Sequence, residues 1–353
     1  MNPVHFTGPA APYAGGDPYA DYRAPDPAAL PFTDLADLAD RRIGGTVLAA
    51  SDEFFAERDH LLAPEPAHFD PAAFGVRGKI MDGWESRRRR TAVPGEHDWA
   101  LIRLGAPGVV HGVLVDTAHF RGNHPQAVRV EAAEVDGHPD AATLLAGSTR
   151  WTDLVPRTEV GGHAANVFAV DAAARGRRFT HLRLRQYPDG GIARLRVFGE
   201  VRPDPAWLAA LGTFDLVALE NGGFAEDASD RFYSSPLNTI TPGRSRTMAE
   251  GWETRRRRDD GHDWVRYRLA GRSVVRAVEI DTGCYKGNAP GHAALSVREG
   301  ETGEWREALP RTALLPDSVH RFVLSGAPAA THARLDVFPD GGVARLRLYG
   351  SLT

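Results

Sequence analysis

Two runs of four arginines, each led in by an aromatic residue and a carboxylate, concentrate the chemistry of this chain. They are Trp84-Glu85-Ser86-Arg87-Arg88-Arg89-Arg90 and Trp252-Glu253-Thr254-Arg255-Arg256-Arg257-Arg258. On an extended segment successive side chains face opposite ways, so each run sends two guanidinium groups to each face. Two such forks on one face match a carboxylate with paired donors and keep their charge at any working pH. Trp84 and Trp252 could wall a site there, and Asp82, Glu85 and Glu253 could balance the arginines. His97-Asp98-Trp99 and His262-Asp263-Trp264 follow closely. An imidazole beside a carboxylate makes proton transfer available near neutrality. The plainer reading is a turn in which Asp caps the backbone and Trp enters the core. An arginine run alone also describes a solvated loop, but its recurrence with the same flanking residues weighs against that.

Further along, Asp116 and Asp281 end apolar runs, where they could pair with arginine or act as bases. Gly122-Asn123 and Gly287-Asn288 mark tight turns whose N–H groups could meet an anion. His119 and His124 of the first half stand where the second half has Cys284 and Ala289. A job kept by one half only would show at those positions. No H-E-x-x-H, C-x-x-C or EF-hand spacing occurs, so no cofactor is predicted, and a divalent metal is not excluded. A Gly-rich phosphate loop and a G-x-S-x-G elbow are also missing.

The signposts recur in the same order, ending in Pro-Asp-Gly-Gly ahead of Ala-Arg-Leu-Arg at 188–196 and 339–347. That order describes a tandem duplication of a whole domain. The 353 residues carry a net charge of −4, which favours neither nucleic acid nor an anionic lipid surface as partner. Only Lys79 and Lys286 of the 42 basic residues are lysine, a bias that dilutes the meaning of any one arginine. A single cysteine, Cys284, permits no intrachain disulfide and suits a reducing cytoplasm. No run of 18 apolar residues or charged-then-apolar leader is present, so neither a membrane span nor a signal peptide is expected.

Residues 1–34 read as a disordered tail and lead-in, with a short helix possible over 32–43. Repeat 1 is expected over 35–200, a linker over 201–212 that could hold one helical turn, and repeat 2 over 213–353. Within each repeat, short period-two runs such as Trp99–Leu104, Gly112–Asp116, Ala127–Glu131 and His181–Arg185 predict strands. Their counterparts are Trp264–Leu269, Val278–Asp281, Leu295–Arg298 and Ala333–Val337. Pro-Asp-Gly-Gly predicts a hairpin, with Asp bonding its own backbone and Leu195 and Val197 buried opposite wet Arg194 and Arg196. The fold class is therefore all-β, two tandem antiparallel sandwiches, with a jelly roll preferred because long loops carry the unusual residues. A pocket is expected where pseudo-symmetric halves meet, and duplicated sandwiches often assemble into a symmetric homo-oligomer.

The strings Val47-Leu-Ala-Ala-Ser-Asp-Glu-Phe-Phe-Ala56, Arg77-Gly-Lys-Ile-Met-Asp82 running into the arginine segment, His97-Asp98-Trp99 and Val115-Asp-Thr-Ala-His-Phe-Arg-Gly-Asn123 closely resemble the allantoicase family. The segment from Gly251 through Asn288 resembles that family's second repeat, and the likeness covers about residues 35–353. Glu250 departs from it, standing where Asp is usual. The resemblance implies two jelly-roll domains similar to galactose-binding modules, and hydrolysis of allantoate to ureidoglycolate and urea. It fits the residues. An arginine pair, Arg88 with Arg90 or Arg87 with Arg89, can clamp the carboxylate of this small anion. Asp82, Trp84, Asp116, His119 and Asn123 are further binding candidates. In repeat 2 the candidates are Trp252, Glu253, Arg255, Arg256, Arg257, His262, Asp281 and Asn288. Breaking a C–N bond at the central carbon needs a proton for the leaving nitrogen and a base for water, and Glu85, His97 and Asp98 are the acid and base candidates. Which repeat holds the site is open. The rival functions are a binding module for an acidic small molecule or glycan, a related ureido hydrolase, and an inactive paralogue.

Overall fold

A computed structural model describes residues 4–90 and 93–353 of the chain. It falls into two compact units divided between Glu200 and Val201. The main strands of the first are β1 (Thr46–Ala50), β2 (Asp98–Asp116), β3 (Ala127–Ala133), β4 (Thr152–Glu159), β5 (Ala165–Ala169), β6 (Arg178–Tyr187) and β7 (Arg194–Val201). The second repeats them as β8 (Phe224–Ala228), β9 (Asp263–Asp281), β10 (His292–Arg298), β11 (Arg306–Ala313), β12 (Val319–Val323), β13 (Ala330–Phe338) and β14 (Arg345–Leu352).

The two expected strands at 99–104 and 112–116 are one long strand, β2. Its first part pairs antiparallel with β1 and β6, and its last residues pair with β5. The register of β6 against β2 jumps between Phe179 and His181, where β2 bends and passes from one layer to the other. β9 does the same work in the second unit, first against β8 and β13, then against β12 and β14. Each unit is thus a jelly-roll sandwich joined by one shared strand. Ile102, Val113, Val115, Leu182, Leu184, Leu195 and Val197 fill the first core without solvent exposure. Burying each such side chain contributes about 1.5–3 kcal/mol, and a one-residue slip would turn the whole set outward, so the pattern fixes the register.

Three local expectations differ. Residues 32–43 form no helix longer than 3-10 turns: Ala36–Asp37 pairs with β7, and Asp37 accepts the N–H of Val197 at 2.9 Å. The linker contains a helix, Pro205–Leu211, capped by Asp204. Residues 4–30, read from composition as disordered, run along repeat 1 as a strap with parallel bridges Gly8 to Gly161 and Arg23 to Ala164. Tyr22 donates to Asp116 Oδ1 at 2.9 Å, and Arg121 grips Asp21 at 2.6 and 2.7 Å. Specific long-range partners outweigh the Pro/Ala/Gly composition there. Among the described residues, no helix is long and apolar enough to cross a membrane.

Candidate active site

The arginine run is extended, and its period-two alternation is realised. Arg87 and Arg89 are tied to acidic partners, Arg87 at the surface and Arg89 partly buried. Arg87 Nε bonds Asp52 Oδ2 at 2.7 Å, and Arg89 Nη2 bonds the buried Asp98 at 2.7 Å while Nη1 meets Glu96 at 3.0 Å. Arg88 and Arg90 line a cleft of about 1000 Å³ that Arg89 also borders, and neither Arg88 nor Arg90 is hydrogen-bonded or ion-paired to another described residue. The tryptophan ahead of the run is not a wall of that cleft. Trp84 is fully buried and its Nε1 donates to the carbonyl of Asp52 at 2.7 Å, so it ties the start of the run to the loop that also anchors Arg87.

Facing the two free arginines are Glu85, Asn123, His124, Gln126, Glu159 and Asp189, with Gly8 and Pro9 of the strap closing one side. Asn123 Nδ2 donates to Glu85 Oε1 at 2.9 Å. Burial pushes the Glu85 carboxyl above its ordinary value, against the pull of the Asn123 bond and the Arg88 charge. Burial likewise lowers the pKa of His124. Its Nδ1 lies 3.1 Å from the carbonyl of Arg121, and a carbonyl can only accept. Nδ1 therefore carries the proton, and Nε2 is left as a basic lone pair. Asp189 of the Pro-Asp-Gly-Gly turn does not bond its own backbone. Its Oδ2 accepts the N–H of Arg89 at 2.7 Å, holding the arginine segment from the opposite hairpin. Gly190 lets the same hairpin lie against the Asn123–Pro125 turn: φ is +142°, and a Cβ there would sit 2.6 Å from the nitrogen of Pro125.

Several candidates named from sequence stand elsewhere. His97 lies outside the cleft lining, with Nδ1 3.0 Å from the Gly95 carbonyl and its ring against Tyr187. Asp98 is buried between Ser51 and Arg89, where it fixes an arginine. Asp82 receives both Arg194 nitrogens at 3.0 and 2.8 Å; Arg194, expected to be wet, is 3% exposed. Asp116 lies under the strap, held by Tyr22. His119 is buried with Nε2 3.2 Å from the Ala67 carbonyl. In repeat 2, Trp252 is buried, His262 pairs with Asp336 at 2.8 Å, and Asp281 accepts the N–H of Gly283 at 2.7 Å. Gln126, Glu159 and Asp189 also line the cleft and were not among the candidates read from sequence. Asp189 had a signal in the doubled turn; the other two had none.

Repeat 2 carries a smaller cleft, about 400 Å³, with the same core of groups: Glu253, Arg256, Arg258, Asn288 and Asp340. Asn288 donates to Glu253 at 2.6 Å, the N–H of Arg257 donates to Asp340 at 2.7 Å, and Asp230 and Asp263 anchor Arg255 and Arg257 at 2.7 and 2.8 Å. One group of potential metal ligands exists among the described residues, Glu226, Glu301 and His332. None of them lines either cleft, and Arg266 and Arg298 already stand 3.3 Å from its carboxylates.

The fold and site define a class: tandem jelly rolls, each with an arginine-edged cleft that also holds carboxylates and an amide. Comparison with known proteins specifies it. An allantoicase repeat model matches residues 36–202 and again 214–353. The "Probable allantoicase" of Streptomyces coelicolor is 66% identical over 99% of this chain and 93% of its own length. The allantoicase of Dictyostelium discoideum is 37% identical over 95% of this chain and 92% of its own. The crystal structure of allantoicase from Saccharomyces cerevisiae superposes with a TM-score of 0.77 at 31% identity, covering 92% of this chain and 98% of that one. The chain belongs to the allantoicase family.

Proposed function

We propose that this chain hydrolyses allantoate to ureidoglycolate and urea, and that the repeat 1 cleft is where it does so. The observation that carries the placement is the pair of unpaired guanidinium groups, Arg88 and Arg90, sharing one cleft with Glu85 and His124. The arginines bind the substrate carboxylate as a charge-assisted fork. Asn123, Gln126 and Glu159 offer donors and acceptors to the two ureido arms. His124 Nε2 takes a proton from water, whose oxygen bonds to the central carbon. As the C–N bond breaks, Glu85 gives its proton to the departing nitrogen, releasing urea. A raised carboxyl pKa suits the acid, and an imidazole kept neutral suits the base. Asp98 and Asp52 act one step removed, holding Arg89 and Arg87 so that their neighbours face the cleft.

The test is urea release from allantoate by the purified protein. Urea without ammonia is expected, with glyoxylate following only as ureidoglycolate decays. Chelation by EDTA and restoration with divalent metal read the metal dependence in the same assay. If no urea forms under any condition, the reading fails and allantoate binding alone becomes the next measurement.

A further inference from the structure

The two clefts share one set of groups and differ in another. Shared are the unpaired arginine pair, the Glu–Asn hydrogen bond and the Asp of the Pro-Asp-Gly-Gly turn. An aromatic also recurs, Phe55 in repeat 1 and Tyr233 in repeat 2. Three matched positions lose a polar side chain in repeat 2, and the strap residues Gly8 and Pro9 have no counterpart there. His124 corresponds to Ala289 in the matched Gly-Asn turns. Gln126 and Gly291 match because each donates its N–H to the end of the preceding hairpin strand, at Tyr187 and Phe338. Glu159 matches Ala313, each pairing with the first residue of the neighbouring strand, Ala127 or His292.

The shared set holds the groups that recognise a ureido carboxylate, with Glu253 in the place of Glu85; the differing set holds His124, the base of the repeat 1 mechanism. An arginine pair selects a carboxylate, and a carboxylate oxygen held by an amide accepts the N–H groups of a ureido or carbamoyl arm. Repeat 2 keeps both. It has no imidazole to take a proton from water, and at 400 Å³ it lacks the side that the strap residues Gly8 and Pro9 and the Glu159 side chain add in repeat 1. We infer that the repeat 2 cleft is a second binding site for a ureido carboxylate, one that holds its ligand without hydrolysing it. The inference rests on the placement of catalysis in repeat 1.

The probe is N-carbamoylglycine, a ureido carboxylate with no second ureido group to lose, titrated calorimetrically into the full chain. Two equivalents per chain are expected for the wild type. One equivalent is expected after Arg256→Ala with Arg258→Ala, exposed positions whose truncation leaves the core intact. An unchanged stoichiometry in that double variant would overturn the inference. The Arg88→Ala, Arg90→Ala chain keeps the repeat 2 cleft whole. It should bind one equivalent and release no urea from allantoate, and urea release near the wild-type rate would show a hydrolytic second cleft, overturning the inference from the other side. If this chain still binds two equivalents while the repeat 2 variant binds one, the repeat 2 site stands and the placement of substrate in repeat 1 is what fails.

Discussion

Asn123 donates its side-chain amide to Glu85 at 2.9 Å, and Asn288 repeats the bond to Glu253 at 2.6 Å in the other half of the chain. The bond ties a turn between strands to the start of the arginine run. It also occupies Oε1 of each glutamate, so a proton on Glu85 is carried by Oε2. Burial raises the Glu85 pKa in spite of the amide, which is the balance a proton donor needs.

Glu85→Gln and His124→Ala are each expected to lower kcat for urea release by ~10²–10⁴-fold, the range general acid–base catalysis supplies. His97→Ala is expected to stay within a few-fold of wild type, because His97 lies outside the cleft lining. Steady-state kinetics on the three variants separates the assignments, and equal losses in all three would return His97 to the mechanism.

Asp98→Asn is expected to lower stability by about 1–3 kcal/mol, since the amide oxygen can still accept but the charge that pairs with Arg89 is lost. Asp98 is nearly buried and its partner about a quarter exposed, which limits the effect. Thermal denaturation measures it. Activity should fall less than in Glu85→Gln, because Asp98 touches Arg89 and Ser51 rather than the cleft.

Acid should weaken repeat 1 through His163. Burial and the Arg121 charge lower its pKa from 6.5 to about 4. Its Nδ1 also accepts the N–H of His119 at 2.9 Å, so protonation there breaks a buried bond. The unfolded chain takes up this proton near pH 6.5 and the folded chain only near 4. The contribution is therefore complete above about pH 6.5 and lost as pH falls toward 4, with a slope of up to about 1.4 kcal/mol per pH unit. His181, lowered to about 4 by burial, adds to the same window. His163→Asn, whose side-chain oxygen can still accept, should flatten the melting temperature between pH 6.5 and 4 by one proton's worth, and an unchanged profile would remove His163 from the account.

The fold class and the duplication are legible in the sequence because hydrophobic period and turn chemistry are local. Arg88 and Arg90 are legible only as one of two parities, because which arginines are tethered depends on Asp52 and Asp98. Trp84 and Arg194 were misplaced for a related reason: each is drawn into the interior by a distant partner, the Asp52 carbonyl and the Asp82 carboxylate. Gln126 and Glu159 sit next to strand ends with no motif around them, and only the pairing of β3 with β4 brings Glu159 to the cleft. The strap was illegible because composition averages over residues while Tyr22 and Asp21 act one at a time.

Anchoring and cleft-lining positions alternate along the four arginines, and the four side chains are identical. Inserting one residue between Glu85 and Arg87 would carry each arginine to the opposite face, yet one guanidinium would still reach the Asp98 position and two would still line the cleft; Asp52 is the group left without its partner. A run of like residues is in this way redundant against slippage. Loss of an arginine removes a charge for good, whereas a one-residue shift mainly releases a single tether.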